Sequence, residues 1–92
     1  MKSEEFYKKL KTSLEETTTF PSEYLYKFIV PTKSDGIQEI ENMFDNMGAV
    51  ISTKESRKGT YTSVSVMVKL ASADMVISKY KEVATIDGII SL

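Results

Sequence analysis

The chain has 92 residues, 41% hydrophobic and 27% charged, with 12 basic against 13 acidic side chains and a formal net charge of −1. That length supports one domain with a single core, and a net charge near zero sets up no global field toward nucleic acid or anionic lipid. Cysteine and histidine are both absent, which removes thiolate nucleophiles, disulfides, imidazole bases and the usual zinc, copper and haem ligands.

Ser3, followed by Glu4 and Glu5, reads as a helix start: a hydroxyl cap, then negative charge against the positive end of the dipole. Phe6, Leu10 and Leu14 recur at i, i+4 and i+8, so a helix is predicted over 4–15. Thr17, Thr18 and Thr19 favour extended backbone, and Phe20-Pro21 closes the segment. Residues 24–30 then alternate as a strand. Tyr24, Tyr26, Phe28 and Val30 share one face, and Leu25, Lys27 and Ile29 the other. After Pro31, Ser34 is placed to cap a helix with Ile37, Ile40, Phe44 and Met47 on one side and Gly48 as its stop.

Residues 49–54 read as a polar edge strand, and Arg57-Lys58-Gly59 as the turn after it. The following strand, 60–70, alternates strictly: Val64, Val66, Val68 and Leu70 against Tyr61, Ser63, Ser65, Met67 and Lys69. Ser72 caps a last helix with a Val76, Tyr80 and Val83 stripe and Asp74 in its first turn. A final strand is predicted over 86–92, bent or thinned at Gly88.

Strand, helix, strand, strand, helix, strand with right-handed crossovers is the α+β, ferredoxin-like βαββαβ sandwich. Its four-stranded antiparallel sheet has the first and third strands at the centre and two helices on one face. Residues 1–19 are expected to form a helical extension and 20–92 the domain. The other sheet face then presents Leu25, Ile29 and Met67 among Lys27, Tyr61, Ser63 and Ser65. So apolar a surface calls for a cover. The expected cover is the N-terminal helix through Phe6, Leu10 and Leu14; the alternative is a second subunit.

Two loops are candidate ligand sites. In Pro31-Thr32-Lys33-Ser34-Asp35-Gly36, amides at a helix start can receive a carboxylate or phosphate, with Lys33 adding charge. Lys33, Ser34, Asp35 and Gly36 are therefore candidate ligand-binding residues, although the same residues also suit an ordinary helix start. The loop resembles the Asp-x-Pro-Gly region of ACT regulatory domains, without its Pro-Gly step. The second candidate is Arg57, Lys58, Gly59 and Tyr61, which equally suit a solvated hairpin. Lys58-Gly59 matches the opening of an RNA recognition motif's third strand, but that motif's base-stacking aromatics are replaced by Thr60 and Thr62, with Tyr61 out of phase. Nucleic acid is not an expected partner. No Asp-x-Asp cluster or EF-hand loop is present, so neither metal nor cofactor is expected, and no carboxylate pair calls for acid–base work.

The segment Ser56-Arg57-Lys58-Gly59-Thr60-Tyr61-Thr62-Ser63-Val64 is similar to the Ser-x-Lys-Gly-x-Tyr-x-Ser-Val segment of the YbeD-like bacterial proteins, a domain-of-unknown-function family. Tyr80, then Ile86-Asp87-Gly88 and Leu92, resembles that family's C-terminal pattern, and the likeness begins at Phe20-Pro21. The resemblance implies an ACT-like, ferredoxin-like fold and a regulatory, non-catalytic role. The expected function is a non-enzymatic module that binds a small molecule or a protein partner; the alternatives are a structural protein acting by sheet-mediated homodimerisation and, ranked below it, an RNA-binding module. MKSEEFYKKL has no apolar core, so neither a signal peptide nor a membrane anchor is expected, and the cytoplasm is the expected location.

Overall fold

Alternation in the two long strands governs the architecture. The computed structural model describes residues 2–92, with side chains from Glu4 onward, so the capping hydroxyl assigned to Ser3 lies outside the described groups. The elements are α1 (Lys2–Thr17), β1 (Ser22–Pro31), α2 (Gly36–Met43), β2 (Val50–Glu55), β3 (Tyr61–Leu70), α3 (Ala73–Val83) and β4 (Ile90–Ser91). The strands form one antiparallel sheet in the order β2-β3-β1-β4, the ferredoxin-like arrangement with β1 and β3 central.

β1 and β3 pair along their whole length, from Ser22 opposite Leu70 to Pro31 opposite Tyr61. This register puts Tyr26, Phe28 and Val30 beside Val64, Val66 and Val68 on the helix side, where all six are buried with Ile40, Phe44, Val76 and Val83. Each such side chain contributes about 1.5–3 kcal/mol on leaving water. The tyrosines in this core keep their hydroxyls satisfied. Tyr26 donates to the Val76 carbonyl at 3.0 Å, and the Tyr24 and Tyr80 hydroxyls share a bond of 2.8 Å. Burial pushes the Tyr26 and Tyr80 phenols well above the ordinary range, with the neighbouring tyrosines adding to it.

Helix α2 is shorter than its apolar spacing suggests. It ends at Met43, the Phe44 amide is shared between the Ile40 and Glu41 carbonyls, and turns with Asn46 and Gly48 at positive φ complete the run. Lys79 of α3 donates to the Met43 carbonyl at 2.7 Å with its Nζ 5.5 Å from the Phe44 ring centre. A cation therefore sits at the negative end of α2. At the other end Ser34 is not the cap residue it was expected to be: the cap position is Asp35, which makes no side-chain cap bond, because Ser34 Oγ is turned to accept from the Gly36 amide at 3.2 Å and donate to the Pro31 carbonyl at 2.8 Å. Ser72 caps α3 as expected, accepting from the Met75 amide at 3.3 Å.

Two further expectations are corrected. The last strand is confined to Ile90–Ser91. The Ile86 amide is taken by the Val83 carbonyl, Ile86 turns into the core, and Gly88 at φ +75° redirects the chain before it can pair with β1. Helix α1 does not cover the open sheet face. It packs antiparallel to α3 and extends the helical layer. Its inner stripe is Tyr7, Leu10, Lys11 and Leu14, at i, i+3, i+4 and i+7, while Phe6 is 58% exposed. Lys11 meets Asp74 at 2.9 Å, and Lys81 lies over the Tyr7 ring at 5.5 Å. The hydrogen bond to Asp74, and its charge, hold the Lys11 ammonium above its usual range. α3 offers a carboxylate to Lys11, whereas the sheet face offers lysines.

Candidate site on the open sheet face

The register sorts the uncovered face into rows. Leu25, Met67 and Val50 form one apolar row across β1, β3 and β2. The next holds Lys27, Ser65 and Ser52, and the third Ile90, Ile29, Ser63 and Lys54 across all four strands. Tyr61, paired with Pro31, closes that end. Leu25 is 44% exposed, Tyr61 48% and Ile90 52%. Leu25 at the middle of the sheet, with Tyr61 and Ile90 toward its margins, left to solvent, is the mark of a surface that engages something.

A hollow of ≈ 290 Å³ lies on this face, lined by Ile29, Lys54, Glu55, Ser56, Arg57, Tyr61 and Ser63. Its geometry follows from the hairpin. The Ser56 amide donates to the Tyr61 carbonyl at 2.7 Å, the Tyr61 amide returns to Ser56 Oγ at 3.2 Å, and the Gly59 amide closes the turn on the Ser56 carbonyl at 2.9 Å. Gly59 has φ +72° with open space around it, so its role in the turn is conformational freedom. The turn thereby carries Arg57 beside Tyr61, next to Lys54. Glu55 borders the hollow but is paired with the buried Thr62 and so belongs to the helix side.

The eight candidate residues do not converge. Arg57 and Tyr61 meet in the hollow just described, while Ser34, Asp35 and Gly36 border a second one of ≈ 320 Å³ with Glu39, Thr85 and Asp87. Lys33, Lys58 and Gly59 border neither. The second hollow brings three carboxylates to the start of α2, and its first amide is already bonded to Ser34, an arrangement that repels an anion. Gly36 is there for packing: a Cβ would stand 2.9 Å from both Cβ and Cγ1 of Val30. Among the described residues no group of three or more aspartates or glutamates is arranged to hold a metal ion, and no helix is long and apolar enough to cross a membrane.

Sequence reasoning missed Lys54 as a neighbour of Tyr61 and Arg57. Lys27 and Ile29 were placed on this face by alternation, but Lys54 joins them only through the pairing of β2 with β3. The signal was present in the turn: closing the hairpin at Ser56 and Tyr61 sets Lys54 opposite Ser63.

Residues 15–92 match the family model described as "Protein of unknown function (DUF493)". The chain is 30% identical over 83 residues to a UPF0250 protein of Shewanella sediminis and 31% identical over 83 residues to a UPF0250 protein of Shewanella woodyi. Each match covers 87% of this chain and 94% of the relative. The matched region starts near the end of α1 and takes in the whole sheet, the basic turn and the open face. The chain belongs to the DUF493 family of proteins of unknown function.

Proposed function

We propose that this protein is a non-catalytic, ACT-like regulatory module that holds a protein partner on its uncovered sheet face. The supporting observation is that Leu25, Ile29, Met67 and Tyr61 stand on the two central strands with none of the described elements over them. A monomer that leaves such a surface to water does so at a cost, which a partner's apolar side chains offset. The non-catalytic reading has its own support. The phenols displaced furthest from their ordinary range, Tyr26 and Tyr80, point into the core under α3 rather than into a hollow.

A second copy of the chain is the other occupant to consider, and the apolar row of Leu25, Met67 and Val50 favours it. Against it, face-to-face pairing brings together two copies of a face that carries Lys27, Lys54 and Lys69 against the single described face carboxylate Glu23.

Photo-crosslinking in cells tests the reading, with the reactive group placed at Ser65 on the open face or at Glu41 on α2. The expected result is a discrete adduct from Ser65, none from Glu41, and loss of the adduct with Met67→Asp. An adduct equal to twice the chain's mass favours the homodimer. Adducts from both positions, insensitivity to Met67→Asp, or no adduct would overturn the proposal.

A further inference from the structure

We infer that the segment docking on this face is acidic and amphipathic, an apolar ridge flanked by aspartates or glutamates. The inference rests on the reading above and names the partner's chemistry. The charged side chains of the face are Lys27, Lys54 and Lys69, joined by Arg57 from the turn, against Glu23. Glu23 stands directly opposite Lys69 at the far end, and Glu55 is the carboxylate bordering the hollow of Lys54 and Arg57, so Lys27, Lys54 and Arg57 outnumber the carboxylate beside them by two charges. The ion pairs among the described residues, Lys11 with Asp74 and Lys79 with Glu82, both lie on the helix side. A chain of net charge −1 thus concentrates positive charge on its uncovered sheet face.

The arrangement fits that ligand physically. Lys27 sits in the middle row, between the apolar row of Leu25 and Met67 and the Ile29 and Tyr61 end. Apolar side chains of a partner reach both ends while its carboxylates meet Lys27 between them, and Lys54 and Arg57 take a carboxylate along the β2 edge. Complementary charge of this kind steers encounter and excludes wrong partners more than it adds raw affinity. A nucleic acid is the poorer match, because Tyr61 is the only aromatic at a face position and a single stacking platform holds a strand weakly.

The test is a titration of the isotopically labelled full chain, followed by amide chemical shifts. The probes are a synthetic peptide with leucine on one helical face and glutamate on the other, the same peptide with lysine for glutamate, and a uridine oligonucleotide. The expected result is saturable shifts at Leu25, Lys27, Ile29 and Met67 with the glutamate peptide only. Affinity should fall at least ~10-fold between ~50 mM and ~500 mM salt, and about 10-fold in a Lys27→Glu, Lys54→Glu double variant whose spectrum shows it folded. Equal or tighter binding of the lysine peptide or the oligonucleotide, or no shift with the glutamate peptide, would overturn the inference. The two readings fail separately. A Ser65 adduct that depends on Met67 but is unchanged in the double variant overturns the acidic partner and leaves the docking face standing. Absence of any adduct removes both.

Discussion

Replacing Lys79 with methionine tests whether α3 and α2 are joined by a charge placed at a helix end. In the native chain the Lys79 side chain is only 14% exposed, donates to the Met43 carbonyl at 2.7 Å and reaches the Phe44 ring at 5.5 Å. Methionine keeps most of the aliphatic packing and removes the donor and the charge. A hydrogen bond from a charged group contributes about 1.5–3 kcal/mol. The partly shielded cation–π contact adds about 0.5–1 kcal/mol, and the exposed partner Glu82, at 3.2 Å, adds little. Relief of lysine desolvation offsets part of this, so a net loss of about 2–3 kcal/mol is expected. At about 4–8 °C per kcal/mol for a domain of this size, the melting temperature should fall by roughly 10–20 °C. Urea and thermal unfolding followed by circular dichroism measure it. Glu82→Gln should cost less than about 0.5 kcal/mol. A Lys79→Met protein within about 0.5 kcal/mol of the wild type would refute the reasoning, because the Met43 carbonyl would then find water as good a partner.

Three further outcomes follow from the packing. Gly36→Ala should destabilise by about 1–3 kcal/mol because its Cβ meets Val30 at 2.9 Å, whereas Gly59→Ala, strained only by φ +72°, should cost about 1 kcal/mol in urea unfolding. Leu14→Ala should cost about 2–4 kcal/mol while Leu25→Thr stays within about 1 kcal/mol; the reverse order would mean that α1 lies on the sheet and not on α3. Alkali should unfold the protein: burial makes Tyr26 and Tyr80 keep their protons in the folded state to higher pH than an ordinary phenol, so above the ordinary tyrosine range of about 10 the unfolded chain binds fewer protons and stability falls as pH rises. Two such groups give a slope of up to about 2.7 kcal/mol per pH unit, and Tyr80→Phe should halve it in unfolding curves taken at successive alkaline pH values.

The sheet was legible in the sequence because alternation is a local property. Tyr24 to Val30 and Val64 to Leu70 declare which face is buried without reference to anything distant, and crossover handedness then leaves one strand order. The Ser72 cap and the positive-φ glycines were similarly local, whereas Ser34 gave way to Asp35 as the first residue before α2. Ile86 reads as strand by composition, yet it turns inward because Val83 takes its amide and the core has room for it. Phe6, Leu10 and Leu14 read as the buried stripe of α1, yet the helix is rotated so that Tyr7 and Lys11 replace Phe6.

The candidate site was half legible for the same reason. Arg57 and Tyr61 were singled out as chain neighbours, and the structure keeps them together. The loop from Lys33 to Gly36 looked receptive to an anion until the fold brought Asp87 and Glu39 beside Asp35. By itself the sequence determined the fold, the absence of thiol and imidazole chemistry, and the identity of the open face, since periodicity and composition need no long-range information. Only the tertiary structure decided that this face stays uncovered and cationic. That outcome depends on Leu10 and Leu14 burying α1 against the helical layer, with Lys11 paired to Asp74 at its rim, and on strand register setting Lys54 beside Arg57 and Tyr61.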